Sequence, residues 1–248
     1  MAPVSVVGRA MAVLTCFRAQ DVGLSQAEIA RRTGLAPPTV HRLVSELARW
    51  GMVERTSDGV RLGMHLFELG QLAPRQRWLR EAAAPFLKDL YQATGETVHM
   101  AVLDGSEVVY LEKLVGSRGT SVPTRVGGRW PAHSTALGKA LLAFAPEAVR
   151  RAVLDGELTR LTPYTKVTSG LLERELLNVR RDGLAFEHEE SVAGVVCVAC
   201  PVLGDDGTAM AAISVTGWST ELDAARMAPA VQTAALGLSR QLRSRSLG

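Results

Sequence analysis

The chain has 248 residues, 47% hydrophobic and 21% charged, which suits one or two domains with a sizeable core. No run of 18 or more apolar residues occurs, and Gly8 and Arg9 interrupt the partly apolar start. Neither a membrane span nor a secretory leader is expected, and the location read from this is cytoplasmic. The formal net charge is +3, and its distribution is more telling than its size. Residues 1–63 hold eight Arg and five acidic residues, whereas residues 64–248 hold twenty basic and twenty acidic ones. The excess therefore lies in the first quarter, where counterion release from a nucleic acid would use it.

Residues 5–19 predict a helix with a broad apolar stripe of Val6, Val7, Ala10, Met11, Val13, Leu14 and Phe17. Arg9 and Arg18 project from it, and Cys16 is expected in the core. Residues 24–62 follow as two short helices, a turn between them and a hairpin. Ser25 can cap the first helix, with Glu28 three residues on to complete a capping box. Gly34 suits the turn, and Pro37 and Pro38 can open the second helix, where a missing N–H costs little. In that second helix Val40, Leu43, Val44 and Leu47 form a buried stripe, which leaves Thr39, His41, Arg42, Ser45 and Arg49 outside. Two β-rich stretches, 52–55 and 60–62, flank Asp58-Gly59, a two-residue hairpin signal. Helix, turn, helix and β wing read as a winged helix-turn-helix that places its second helix in a DNA major groove. The DNA-facing set is Arg9, Ser25, Gln26, Pro38, Thr39, His41, Arg42, Ser45 and Arg61. Arg42 or His41 is expected to read base edges, while Ser25, Gln26 and Arg61 touch phosphate.

Residues 64–80 predict a linker helix, kinked or ended near Pro74, with Arg75, Arg77 and Arg80 on a solvated face. Residues 81–248 then read as a second domain. A helix over 81–93 precedes a hairpin of 97–103 and 107–115, and 120–126 supplies a third strand. Helices are expected over 135–144, 147–154 and 171–181. Strands follow over 184–189, 195–203 and 209–216, and a final helix covers 221–243. The fold class is α+β, an antiparallel sheet with helices on its faces behind the winged helix-turn-helix.

Enzyme chemistry finds little support in the pattern. The histidines outside the second helix, His65, His99, His133 and His188, show no metal-ligand spacing, and no nucleophile elbow or phosphate-binding glycine loop occurs. Gly138-Lys139 resembles the end of a P-loop, but position 133 is His rather than Gly. The carboxylates of FEHEE could do acid–base work or simply be solvated. Cys197 and Cys200 form a C-x-x-C, yet on a strand such positions point to opposite faces, which argues against a zinc or redox pair.

A binding pocket is the better supported reading. Ser214 and Thr216 face one side of their strand, and Cys197 can join them from the neighbouring strand. Thr135, Ala136 and Gly138 lie where a loop enters a helix, whose free N–H groups suit a carboxylate. Together these residues could hold a small organic anion. The alternative is that the hydroxyls satisfy backbone groups and Cys197 is core.

Four segments resemble the IclR-type bacterial transcriptional regulators. They are SVVGRAMAVL, LSQAEIARRTGLAPPTVHRLVSELARWGMVER, PAHSTALGKALLAF and RDGLAFEHEESVAGVVCVACPVLGDDGTAMAAISVTG. The resemblance implies a GAF-like effector domain over 81–248, a homodimer or homotetramer on a palindromic double-stranded operator, and an effector that is an organic or aromatic acid. It implies no cofactor and no catalysis, the runner-up being an enzyme or sensor on a GAF-like domain with a vestigial DNA-binding part. By motif, the pocket positions are Ala136, Leu137, Glu187, Cys197, Ser214 and Thr216. Relatives that bind small keto acids often carry a smaller residue at the Leu137 position and can carry Asp at the Glu187 position. At Pro37-Pro38, many members have a basic residue followed by Ser or Ala, so Thr39, His41 and Arg42 must do more here.

Overall fold

The structure is a computed structural model that describes residues 5–117 and 122–246. The chain divides into two compact units between Arg77 and Trp78.

In the first unit α1 (Val6–Thr15) is capped by Ser5, whose Oγ accepts from Gly8 N–H at 2.9 Å. Helix α2 (Gln26–Thr33) begins at Ser25, whose Oγ accepts from Glu28 N–H at 3.1 Å. The expected capping box is only half made. The Glu28 carboxylate takes Arg31 and Arg32 instead, since a guanidinium is the stronger donor. Gly34 ends α2 in the left-handed region at φ 68°, and α3 (Pro37–Arg49) starts at its two prolines. Strands β1 (Val53–Thr56) and β2 (Gly59–Leu62) form the wing. Its turn is Ser57-Asp58, one residue earlier than the sequence signal suggested. Gly59 pairs with Thr56 at φ 118°, and a Cβ there would meet the Leu24 carbonyl at 2.6 Å. That close approach exists because Leu24 bridges to Val60 in both directions at 2.8 Å. Val13, Leu24, Ile29, Leu35, Val40, Leu43, Val44, Val53 and Val60 close one small core, with Cys16 packed at its edge. Fully burying such side chains contributes about 1.5–3 kcal/mol each.

The linker helix ends near Pro74 as expected, but the helix after it starts earlier than expected. Helix α4 (Met64–Gln71) ends before Pro74, and Pro74 opens α5 (Pro74–Thr94), which runs on through Pro85. Proline suits a first helical position, where its missing N–H has no acceptor to lose, so it starts the long helix rather than breaking one. No separate helix begins at residue 81.

The second unit is built on a sheet of order β5-β4-β3-β8-β7-β6, with every described pairing antiparallel. Its strands are β3 (Thr97–Asp104), β4 (Glu107–Leu114), β5 (Arg129–Pro131), β6 (Ala185–His188), β7 (Val195–Leu203) and β8 (Ala209–Trp218). Of the strand expected over 120–126, residues 120 and 121 lie outside the described residues and 122–126 form no strand; the third strand is β5. Helices α6 (Ala136–Ala143), α7 (Glu147–Leu154) and α8 (Ser169–Asp182) follow β5, and α9 (Ala224–Ser246) follows β8.

Period-two alternation sends each strand's residues into two cores. Val196, Val198, Cys200 and Val202 of β7 join Ile213 and Val215 of β8 against α5 and α9. Cys197 and Ala199 join Ala212 against α6 and α8. The two cysteines of the C-x-x-C thus lie on opposite faces of the sheet. Among the described residues, no helix is long and apolar enough to cross a membrane.

Candidate DNA face and effector cavity

The outer face of α3 is set by what its inner face buries. Val40 and Val44 are fully buried, so Pro37, Pro38, His41 and Arg42 are exposed, with Thr39 and Ser45 half-buried. Arg42 has no ion-pair or hydrogen-bond partner among the described residues. His41 Nδ1 lies 3.2 Å from Gln26 Oε1, which ties the tips of α2 and α3 together. Ser45 Oγ donates to the His41 carbonyl at 2.8 Å and accepts from Arg55 Nη2 at 2.7 Å. Arg55, on the wing strand β1, is therefore part of this surface although the sequence pattern did not single it out. Its contact with Ser45 spans ten residues and leaves no periodic signal.

Two expected DNA residues are engaged inside the protein. Arg61 pairs with Glu54 across the wing at 2.7 Å, and Ser25 Oγ is committed to its cap. Arg9 lies half-buried on α1, away from the helix tips just described in sequence but within the same unit. Arg32 is structural: it holds Asp21 and Glu28 and donates to the Cys16 carbonyl at 3.1 Å. Its guanidinium holds the Asp21 carboxyl below the usual range, and Arg31 with Arg32 brings Glu28 down to about 2.

In the second unit a cleft opens on the sheet face that carries α6. Its lining includes Thr135, Ala136, Leu137, Glu187, Cys197 and Thr216, six of the eight expected effector residues. It is a narrow cleft of about 350 Å³, counted together with the solvent at its mouth. Gly138 and Ser214 are not among the lining residues. Gly138 is pressed on the Ala132 backbone, where a Cβ would meet the carbonyl oxygen at 2.1 Å. Ser214 is fully buried beneath the cleft, beside the Cys197 sulfur, and its Oγ makes no hydrogen bond among the described residues.

The cleft is also lined by His99, Tyr110, Thr124 and Trp130, which the sequence pattern does not single out as effector residues. His99 lies on β3. Its position between Val98 and Met100 on an alternating strand was the available signal that it faces away from their core. Its ring packs edge-on to Tyr110 with centroids 5.2 Å apart. Nε2 meets Thr124 Oγ1 at 2.8 Å and Nδ1 meets Thr216 Oγ1 at 3.4 Å. Burial, and then the charge of Lys113, bring the imidazole down to about 3, so it is neutral. Thr216 Oγ1 in turn lies 3.1 Å from Cys197 Sγ. Burial, with the Glu187 charge adding to it, pushes that thiol up to about 12. Burial also raises the Tyr110 phenol.

Glu187 faces Cys197 across β6 and β7 and is 2% exposed. Its Oε1 accepts from Glu190 N–H at 2.8 Å, Ser191 N–H at 3.0 Å and Ser191 Oγ at 3.2 Å. Burial outweighs those bonds and pushes the carboxyl up to about 7. Behind it, fully buried Lys139 donates to Glu175 at 2.7 Å and Glu190 at 2.8 Å, and Lys166 pairs with both acids. No group of His, Cys, Asp and Glu among the described residues could hold a metal ion.

A winged helix-turn-helix with an open α3 face, followed by an α+β unit with a polar-walled cleft, defines a class: DNA-binding regulators with an appended domain. The IclR helix-turn-helix domain model matches residues 6–57, and the bacterial transcriptional regulator IclR C-terminal model matches residues 73–240. The chain belongs to the IclR family of bacterial transcriptional regulators. It is 36% identical over 242 residues to the HTH-type transcriptional regulator XynR of Escherichia coli K12, covering 95% of this chain and 96% of that one. It is 33% identical to BhcR of Paracoccus denitrificans, with 96% and 86% covered. The crystal structure of an IclR homologue from Microbacterium hydrocarbonoxydans complexed with 4-hydroxybenzoate is similar at TM-score 0.89 and 33% identity, covering 97% of this chain and all of that one.

Proposed function

We propose that this regulator binds a palindromic double-stranded operator as a homodimer or homotetramer, in the cytoplasm, and that a small organic acid in the Thr135–Glu187–Thr216 cleft sets its operator affinity. The cleft carries the reading. Hydroxyls, a carboxyl, a phenol and a helix N-terminus converge there inside an otherwise apolar layer. The homologue that binds 4-hydroxybenzoate supports an aromatic acid as the ligand class. Ligand would act by favouring one arrangement of the protomers over another. Half-sites one turn apart need recognition helices about 34 Å apart, so a small shift unmatches them.

The α3 face supplies the DNA contacts, with Arg42 reading bases and Thr39, His41, Pro38, Gln26 and Arg9 around it. Ser45 acts through Arg55, and Arg61 must exchange Glu54 for phosphate. The domain limits that serve this reading are a DNA-binding part over 1–63, a linker over 64–80 and an effector domain over 81–248. Catalysis is not expected. A thiol at about 12 is a poor nucleophile at neutral pH, and an imidazole at about 3 is a poor base.

Arg42→Ala tests the DNA half of the reading. It should weaken operator binding by about 1–3 kcal/mol and relax the preference at one base position, read by fluorescence anisotropy on operator variants. An unchanged affinity and base preference would remove Arg42 from the base-reading role.

A further inference from the structure

The cleft wall holds a carboxyl and no cation. Its lining contains neither Lys nor Arg. Lys113, outside that lining, directs Nζ to the Val122 and Thr124 carbonyls at 2.9 and 2.7 Å. Glu187 Oε1 is saturated by three donors, whereas Oε2 has no hydrogen-bond partner among the described residues. Also at the cleft, the first turn of α6 leaves the Ala136 and Leu137 N–H groups without helical acceptors, the Gly138 N–H being taken by Thr135 Oγ1. A carboxylate seated on that turn would share the cleft with the Glu187 carboxylate, and two such groups in one low-dielectric site do not both ionise.

We propose that the cleft binds a small monocarboxylic acid together with one proton, held on Glu187 Oε2 and donated to the ligand, so that effector affinity is linked to pH. The inference rests on the effector-site reading above and adds the protonation state. When the ligand enters as its anion, Glu187 takes the proton from solvent and no other bond changes.

Charged and titratable groups from several elements face Glu187. From β7 comes Cys197, from β4 Tyr110 and from β3 His99. The turn after β6 brings Glu190 and Ser191, and α6 brings Lys139, with Glu175 and Lys166 behind. Lys139 and Glu190 act on Glu187 in opposite directions, and burial decides. Between pH 6 and 8.5 the imidazole stays neutral and the thiol and phenol stay protonated. Glu187 sits at about 7 in the free protein, and an anion beside it favours the protonated form further. Binding is therefore strongest below 7, where the proton is already present, and weakens as pH rises above 7.

Isothermal titration of the full chain with benzoate and with 4-hydroxybenzoate, in two buffers of different ionisation enthalpy, reads the proton directly. Expected uptake rises across this range from a small fraction of a proton per ligand at pH 6 toward one at the alkaline end, with affinity there falling toward tenfold per pH unit. In Glu187→Gln the amide oxygen keeps the three donors and the amide N–H replaces the carboxyl O–H. That variant should bind with no proton uptake and a flat pH profile. Wild-type binding without uptake and with constant affinity from pH 6 to 8.5 overturns the proposal, whether or not the variant folds. Uptake that persists in Glu187→Gln overturns the assignment to this residue. If benzoate, 4-hydroxybenzoate, pyruvate and glyoxylate all give neither heat nor thermal shift, the effector-site reading itself fails, and the proton linkage with it.

Discussion

Two glycines separate what space and conformation each demand. Gly138 has no room for a methyl group, since backbone atoms of Ala132 surround the position where Cβ would stand. Backbone cannot rotate away as a side-chain tip can, so Gly138→Ala must move α6 relative to the turn before it. The expected cost is about 1–3 kcal/mol in urea unfolding, with a loss of ligand affinity because Ala136 and Leu137 shift with the helix. Gly170, near the start of α8, has nothing within 4 Å and an ordinary helical φ. Gly170→Ala should leave stability unchanged or raise it by up to about 1 kcal/mol. Equal losses from the two substitutions would mean that the Ala132 contact does not matter.

Helix α6 is the element that the cleft depends on. All eight of its residues are buried, Lys139 included. An ammonium inside protein costs several kcal/mol unless it is paired, and Glu190 and Glu175 supply the pairing. The same Glu190 offers its backbone N–H to Glu187, so the ion cluster fixes the turn that holds the cleft carboxyl. Lys139→Met should cost about 3–5 kcal/mol by leaving Glu190 buried with fewer partners, and adding Glu190→Gln should recover part of that loss. A double variant no more stable than Lys139→Met would show that the buried charge is not the source of the cost.

At the scale of the molecule the two units differ in charge, and their ligands should differ in salt response. The first 63 residues carry the net +3, but Arg31, Arg32, Arg49 and Arg61 are already paired with acids. The salt slope of operator binding should therefore fall short of eight phosphates per protomer, nearer about two to four in log K against log salt. Effector binding, in a buried cleft of a net-neutral segment, should change less than about twofold between 50 and 200 mM salt. Measuring both on one preparation separates them. A strongly salt-dependent effector affinity would place the ligand at the surface rather than in the cleft.

The helices, strands and winged turn were legible because local signals set them: the Ser25 cap, the i, i+3, i+4, i+7 stripe of α3, and the alternation in β7 and β8. These depend on residues within a turn or two of one another. Signals misled where a residue serves two structures. Pro74 both follows the end of one helix and starts the next, Gly59 belongs to a strand rather than its turn, and Glu28 answers arginines rather than its cap. The cleft was half legible. Family motifs marked Ala136, Leu137, Glu187, Cys197 and Thr216, while His99, Tyr110, Thr124 and Trp130 come from strands and a loop whose pairing no local pattern reveals. Which faces are apolar and where the positive charge lies could be read from the chain alone, because composition and period are local properties. That Glu187 is buried with no cation in direct contact, and that Arg55 reaches Ser45, came from packing, because desolvation and long-range hydrogen bonds exist only once distant segments are brought together.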